Sequence, residues 1–156
     1  MPDGRIVPEF YVNEYPDWVN AVALTKSGEV LLVKQYRHGM GEESVEIPGG
    51  VVDEGETWQD AMHRELMEET GHKFESLHYL AKVSANPSTT NNFTHLFLAT
   101  GGEKVAEPNL DHLEHLEVMI VSLEELKELV KQNKIMQSLH VNCIFYALFH
   151  LGQLQY

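Results

Sequence analysis

The alternation of apolar and polar residues predicts that strands make up most of the chain before residue 122. Two apolar runs rich in β-branched and aromatic residues cover residues 18–25 and 30–37, and residues 26–29 between them include a glycine. A connection of this length with glycine is typical of a β-hairpin. Further runs of strand character lie at residues 44–47, 77–84, 93–100 and 116–121.

The segments between these runs have the composition of loops. The first 17 residues contain three prolines, so they are irregular or at most a short edge strand. Loops rich in glycine, asparagine, serine, threonine or acidic residues are predicted at residues 38–43, 85–92 and 101–114. A Pro-Gly-Gly turn at residues 48–50 leads into an acidic segment. Its glycines allow the backbone to approach a ligand closely.

Three helices are predicted. Thr57, with Asp60 three residues later, marks a helix start, and Gly71 a helix end, which gives a helix over residues 58–70. A capping box at residues 122–125 starts a second helix, which ends near residue 132. The third, residues 137–151, is apolar nearly all round, which indicates a buried helix or an oligomer contact. This order of elements predicts an α/β fold with a mixed sheet between helices.

Composition limits the classes of function. At 156 residues and 43% hydrophobic content, one globular domain over residues 1–156 is expected. The net charge of −13 argues against binding to nucleic acid polymers or anionic membranes.

The lone Cys143 lies in an apolar run, so we expect a buried thiol in a reducing cytosol. The start of the chain has no signal-peptide pattern and the longest apolar run is too short to cross a bilayer, so a cytoplasmic location is expected.

Negative charge is concentrated between Gly50 and His72, where seven acidic residues accompany one basic residue. At about 100° per residue, Glu65 and Glu69 lie within about 40° of each other on the predicted helix, and Glu68 lies about 60° from Glu65. Apolar residues border this face, which places the carboxylates at the edge of the core. Oxygen ligands in such a cluster suit Mg²⁺ or Mn²⁺. The alternative interpretation is a solvated acidic helix with an internal ion pair.

The spacing of these residues favours the metal site. Gly50 is followed after five residues by Glu56, and after seven more by Arg-Glu-Leu-Met-Glu-Glu-Thr-Gly at residues 64–71. This pattern resembles the signature box of the Nudix hydrolases. One position departs from it, because His72 stands where the family has an aliphatic residue. That departure bears on packing after the helix more than on the metal site.

The resemblance implies a Nudix-type α/β/α sandwich with a loop-helix-loop metal site that binds Mg²⁺ or Mn²⁺. It also implies hydrolysis of a diphosphate linkage in a nucleoside diphosphate joined to another group. The residues it assigns to the metal are Gly49, Glu65, Glu68 and Glu69. The residues it assigns to the structure of the box are Gly50, Glu56, Arg64 and Gly71. Arg64 would support catalysis by pairing with a carboxylate rather than by touching substrate.

The resemblance leaves the general base open. In several branches of the family it is a box glutamate, which is Glu65 in this chain. In branches resembling ADP-ribose pyrophosphatases it is a glutamate on a loop before the last strand. The matching loop, residues 108–115, offers Glu114 first and Asp111 second. We favour Glu114.

Four positions bear on the substrate. Pro87 lies 15 residues after His72, a spacing similar to that of enzymes acting on ADP-ribose. Arg37 at a strand end and Glu46 before the Pro-Gly-Gly turn also fall where that branch contacts its ligand. Asn92 stands where the branch often has an acidic residue.

ADP-ribose or a related nucleoside diphosphate sugar is therefore the first interpretation, with nucleoside monophosphate and sugar phosphate as products. A nucleoside triphosphate pyrophosphohydrolase and a noncatalytic nucleotide sensor are the alternatives. A homodimer is expected, because similar Nudix enzymes often pair and the last helix is apolar nearly all round.

Overall fold

The computed structural model of the chain describes residues 1–110 and 116–154. In this part of the chain, eight strands and three helices follow one another. They are β1 (Trp18–Thr25), β2 (Val30–Arg37), β3 (Glu42–Glu46), β4 (Gly49–Val51), α1 (Trp58–Thr70), β5 (His72–Lys73), β6 (Ser76–Val83), β7 (Thr94–Lys104), β8 (Leu116–Val121), α2 (Leu123–Lys131) and α3 (Ser138–His150).

The eight strands form a mixed sheet with the central order β3-β2-β1-β7-β5. β1 runs parallel to β7, with Trp18 opposite Thr94, and antiparallel to β2, with Ala23 opposite Leu31. The strands β4, β6 and β8 pair antiparallel with β1, β7 and β2, respectively. This arrangement confirms the predicted mixed sheet.

Pairing along β1 changes partner, and this change opens a cleft. Its C-terminal end pairs with β2 at Ala23 and Leu24, whereas its first three residues pair with β4. The far end of β2 pairs instead with β3, in a register that joins Arg37 to Glu42. β1 and β2 therefore diverge toward Trp18 and Arg37, and both of these residues line the cleft.

Apolar side chains pack on both faces of the sheet, which gives the α/β/α sandwich its two cores. On one face Ala61, Met62 and Leu66 of α1 pack with Ala21 and Phe97. The core on the other face contains Val22, Leu32, Leu96, Leu126, Cys143, Ile144 and Ala147. Each fully buried large apolar side chain contributes about 1.5–3 kcal/mol relative to an exposed one, so both faces stabilise the sheet.

The third helix is buried on one side only. His140, Cys143 and Ala147 are among its buried residues, and burial raises the pKa of the Cys143 thiol to about 12. The expectation of a buried thiol is therefore confirmed. Phe145 and Tyr146 face outward. Within the described residues, no helix is long and apolar enough to cross a membrane.

Several predicted boundaries are wrong where strands depend on distant partners. β3 begins at Glu42, inside the predicted loop 38–43, because its first residues pair with β2. Part of the predicted Pro-Gly-Gly turn is β4, which pairs with β1. The first four residues of the predicted connection 101–114 belong to β7, since Glu103 and Lys104 pair with the short strand β5.

Candidate active site

A cleft of about 980 Å³ opens where β1 and β2 diverge, a size typical of small-molecule sites. One wall comes from α1 and the Gly49–Val51 strand, and the opposite wall from β2, the end of β3 and the start of α3. The box carboxylates of α1 and the predicted ligand contacts Arg37 and Glu46 line the same space. The fold thus brings together residues far apart in sequence.

The position of α1 is set at both of its ends. The side chain of Thr57 accepts a hydrogen bond from the backbone N–H of Asp60 at 3.2 Å, as predicted for an N-cap. At the other end Gly71 has φ +69° and donates its N–H to the carbonyl of Met67 at 2.9 Å. The apolar face of α1 packs on the sheet. Its glutamate face is therefore directed to the edge of the core, at the cleft.

Glu69 is the most buried carboxylate of the box, with 6% of its surface exposed. Its Oε2 accepts a hydrogen bond from the backbone N–H of Gly49 at 2.9 Å. Gly49 must approach β1 closely, since a Cβ there would lie 2.2 Å from the Asn20 Nδ2 atom and the Val19 carbonyl oxygen. A glycine is thus required to bring this backbone to the carboxylate.

Arg64 donates hydrogen bonds to three carboxylates and one carbonyl. Its guanidinium forms a fork with Glu56, at 3.1 Å from Nε and 3.0 Å from Nη2, and Nη2 also donates to the Val51 carbonyl at 2.8 Å. Its Nη1 donates to Glu65 at 2.8 Å and Glu68 at 3.1 Å. Hydrogen bonding to Arg64 holds the pKa of Glu56 below its usual value. This network joins the loop before α1 to the helix.

Gly50 leaves the space that Glu65 occupies. A Cβ at Gly50 would lie 2.3–2.6 Å from the three carboxyl atoms of Glu65. Any side chain at this position would displace that carboxylate.

The donor set fits a hard divalent cation in its chemistry, since carboxylate and carbonyl oxygens are the ligands that Mg²⁺ and Mn²⁺ prefer. Among the described residues, however, no three Asp, Glu, His or Cys side chains stand close enough together to enclose an ion. The Nη1 atom of Arg64 bridges Glu65 and Glu68. Binding a cation between these carboxylates requires that bridge to open.

Arg37 and Glu46 form an ion pair on the opposite wall. Arg37 donates from Nε to Oε1 at 2.9 Å and from Nη2 to Oε2 at 2.5 Å. Burial of Glu46, which is 1% exposed, is the largest single influence and acts to raise its pKa, but the hydrogen bonds and charge of Arg37 together with the other neighbouring groups leave the pKa below its ordinary value. Glu46 is therefore an ionised carboxylate inside the cleft, and Arg37 is already partly neutralised by it.

Sequence analysis did not predict the polar residues that lie beside the Arg37–Glu46 ion pair. His140 of α3 is 4% exposed, and its Nε2 lies 3.2 Å from the Nδ2 of Asn20. Burial lowers the pKa of His140 to about 4, an effect that Glu46 opposes and Arg37 reinforces. The available signal was a polar residue within each of two largely apolar runs, Asn20 in β1 and His140 in α3. Gln35 and Gln137 complete this wall.

Two predicted substrate-binding residues lie elsewhere. Asn92 is buried and donates from Nδ2 to the Pro16 carbonyl at 3.0 Å, which ties the start of the chain to the loop before β7. Pro87 is exposed in the same loop, and neither residue lines the cleft. The candidate bases Glu114 and Asp111 lie outside the described residues.

Comparison with known proteins identifies relatives of the whole fold. The family model for the NUDIX domain matches residues 15–139, which include all of the box. The methanol dehydrogenase activator of Bacillus methanolicus is 32% identical over 104 residues, or 67% of this chain and 56% of that protein. The ADP-ribose pyrophosphatase of Bacillus subtilis is 32% identical over 99 residues, or 64% of this chain and 53% of that protein.

The chain spans about half the length of these curated relatives. Among solved structures, that of an ADP compounds hydrolase matches with a TM-score of 0.78 and 23% identity, over 88% of this chain and 75% of that chain. This likeness shows the fold, with helices on both faces of a mixed sheet. Since the NUDIX model also covers well over half of the sequence, the chain belongs to the Nudix hydrolase family.

Proposed function

We propose that this chain hydrolyses the diphosphate linkage of a nucleoside diphosphate sugar, with ADP-ribose or a relative as substrate. The products are nucleoside monophosphate and sugar phosphate. The observation that carries the proposal is the single cleft that holds Glu65, Glu68 and Glu69 on one wall and Arg37 with Glu46 on the other. Its volume of about 980 Å³ is at the upper end for small-molecule sites and suits a ligand of this size.

In this proposal Glu65, Glu68, Glu69 and the Gly49 carbonyl hold Mg²⁺ or Mn²⁺. A divalent cation bound there supplies positive charge for the phosphate oxygens and lowers the pKa of the attacking water. Arg64 keeps its fork on Glu56 and its bond to Val51, while its Nη1 atom releases the other two carboxylates. Arg64 therefore positions the loop and helix rather than contacting the substrate.

The chain must also supply a base for the proton of the attacking water. Glu65 is the candidate within the described cleft, where it accepts a hydrogen bond from Arg64. Glu114 is the candidate that the resemblance favours and Asp111 the next. Loss of the base lowers kcat and removes the acidic limb of the pH profile. Because Glu65 is also a proposed metal ligand, the decisive variants are Glu114→Gln and Asp111→Asn: the one that removes the acidic limb identifies the base, and if both keep it Glu65 is the base.

Two observations support a nucleotide-sized substrate rather than a polymer. The net charge of −13 disfavours a nucleic acid polymer, whose many phosphates would be repelled. In addition, one of the relatives at 32% identity is an ADP-ribose pyrophosphatase. In this proposal Arg37, which is paired with Glu46, contacts one phosphate of the substrate.

The test is turnover of ADP-ribose, ADP-glucose and a set of deoxynucleoside triphosphates, with and without Mg²⁺ or Mn²⁺. We expect metal-dependent release of AMP from a sugar nucleotide. Glu69→Gln should lower this rate by roughly 100-fold or more, since the substitution removes the charge of a metal ligand and also changes the group that accepts the hydrogen bond from the Gly49 N–H. Glu117→Gln is the matched control, because Glu117 is an exposed carboxylate on β8 outside the cleft.

Other outcomes identify the alternatives. Release of pyrophosphate from triphosphates alone would make the chain a triphosphate pyrophosphohydrolase. Binding of a nucleotide without any metal-dependent turnover would make it a sensor.

A further inference from the structure

His140 carries a buried hydrogen-bond donor that has no partner among the described residues. The Nδ2 atom of Asn20 can only donate, so the Nε2 atom of His140, 3.2 Å away, accepts. The proton of the neutral imidazole is then on Nδ1. This atom is buried and makes no hydrogen bond within residues 1–110 and 116–154. A buried donor without an acceptor destabilises the folded chain, so its retention calls for an explanation.

A carboxylate oxygen lies close to this donor but slightly too far away for a direct hydrogen bond. Nδ1 of His140 lies 3.7 Å from Oε2 of Glu46. That distance exceeds the 3.5 Å limit of a hydrogen bond, yet one oxygen atom can lie at about 2.8 Å from both atoms. The two groups are complementary, because one donates and the other accepts. A hydroxyl group, which both accepts and donates, matches this pair.

The surroundings keep this pair in one protonation state at neutral pH. Burial holds the His140 imidazole neutral, and Arg37 holds the Glu46 carboxylate ionised. The pair therefore presents one donor and one carboxylate acceptor, and it lies in the same cleft as the α1 carboxylates. His140 also lies one residue beyond the range 15–139 that matches the NUDIX domain.

We propose that His140 Nδ1 and Glu46 Oε2 together bind one hydroxyl group of a sugar in the substrate. This inference rests on the proposed function and names the part of the sugar nucleotide that the wall opposite α1 recognises. The sugar is either the ribose of the nucleoside or the sugar on the other phosphate. Recognition by a buried donor and acceptor disfavours a deoxy compound, since both protein groups would then lose their partner.

Two substitutions separate the donor from the rest of the imidazole. His140→Gln keeps a polar atom as far along the side chain as Nε2, which can still meet Asn20, but removes the donor at the δ position. His140→Asn places an amide nitrogen as many bonds from the backbone as Nδ1 and so can keep the donor. His150→Gln is the control, because His150 lies at the exposed end of the same helix and outside the cleft.

The probes are two pairs of product-like compounds, measured by calorimetry without a metal so that no turnover is needed. One pair is AMP and 2′,3′-dideoxyadenosine monophosphate, and the other is ribose 5-phosphate and 2-deoxyribose 5-phosphate. We expect the wild type to prefer the hydroxylated member of one pair by roughly fivefold to twentyfold. His140→Gln should reduce that preference to less than about twofold, His140→Asn should restore part of it, and His150→Gln should keep it.

The preference is a ratio within one protein, so a partly unfolded variant does not distort it. If His140→Gln does not fold, the wild type alone decides, through the ¹H–¹⁵N signal of the His140 Nδ1–H. That signal should shift with the hydroxylated probe and not with its deoxy partner.

Equal affinity for both members of both pairs in the wild type, or no binding of any probe, overturns the inference. Its failure is distinct from failure of the proposed function. A preference without turnover supports the inference in a sensor, and turnover without a preference supports the enzyme alone.

Discussion

At the scale of single residues, Arg64 joins more of the site than any other side chain described above. Replacing it with lysine keeps the charge but removes the fork that binds Glu56 and Val51. We expect Arg64→Lys to lower the free energy of unfolding by roughly 1–3 kcal/mol, as measured by urea denaturation. Arg5→Lys, at an exposed arginine paired with Asp3, should change it by less than about 0.5 kcal/mol. Equal stability losses in the two variants would contradict this role.

Gly50 offers a test that separates the site from stability. In Gly50→Ala the three atoms nearest the new methyl group would all belong to the end of the Glu65 side chain, which is flexible and can move away. Stability should therefore change by less than about 1 kcal/mol, whereas affinity for Mn²⁺, measured by calorimetry, should fall roughly tenfold or more. Gly28→Ala should instead lower the stability and leave the affinity for Mn²⁺ unchanged. Its φ of +85° strains an alanine, but no atom lies within 4 Å of the added group and the residue is outside the cleft.

Residue-level prediction grouped side chains that the structure also brings together where the signal was local in sequence. The box placed Glu65, Glu68 and Glu69 on one face of α1, and all three line the cleft. His140 and Asn20 were missed because they are 120 residues apart and meet only through the tertiary fold. Asn92 was assigned from a spacing alone, and the described structure shows it bound to the backbone of Pro16.

At the scale of elements, the position of α1 depends on its first turn. Thr57 accepts from the N–H of Asp60 and donates its hydroxyl to the Asp60 carboxylate at 2.7 Å. Thr57→Ala should lower the free energy of unfolding by about 1 kcal/mol, and Thr57→Ser should lose less than half of that. Chemical denaturation of the three proteins measures the difference. An alanine variant as stable as the wild type would show that packing alone determines where α1 begins.

The elements predicted with correct bounds are those with complete local signals. Helix α1 has a cap at each end, and β1 and β2 flank a short turn, so each was bounded by nearby residues. β4 was missed because its glycines have the composition of a turn, and only pairing with β1 makes them a strand. β5 has two residues and exists because the end of β7 lies beside it. Propensity carries no information about partners this distant.

At the scale of the whole molecule, stability should depend on pH through His140. Its pKa is about 4 in the folded state and about 6.5 in an unfolded chain, so between these values the unfolded state binds the extra proton. Stability is then complete above pH 6.5 and decreases as the pH falls toward 4, by up to roughly 3 kcal/mol. The lowered pKa of Glu46 acts in a separate window, since its contribution is lost only below about pH 4.3.

His140→Gln should remove the decrease in stability between pH 6.5 and pH 4. Urea unfolding at pH 7, 5.5 and 4.5 should show a smaller difference between pH values in His140→Gln than in the wild type. His150→Gln provides the comparison for a histidine on the same helix. A pH dependence that is the same in His140→Gln and the wild type would mean that His140 is protonated in the folded state.

The distribution of charge over the molecule leads to the last prediction. The chain carries a net charge of −13, yet α3 contains no Asp, Glu, Lys or Arg. Its outer face presents Phe145, Tyr146 and Phe149 at 47%, 44% and 57% exposure. Two copies can meet at this face without bringing like charges together, and doing so removes aromatic surface from water. We therefore propose a homodimer through α3.

Light scattering at micromolar concentration should give about twice the monomer mass of 17.8 kDa. Tyr146→Glu should give the monomer mass, because each dimer would bury two carboxylates at the contact. Glu117→Gln, on an exposed position of β8, should remain dimeric. A wild-type monomer would exclude the dimer, and a dimer that survives Tyr146→Glu would place the interface elsewhere. Since His140 is buried and Tyr146 is on the exposed face of the same helix, the variant should keep the preference for hydroxylated probes even as a monomer.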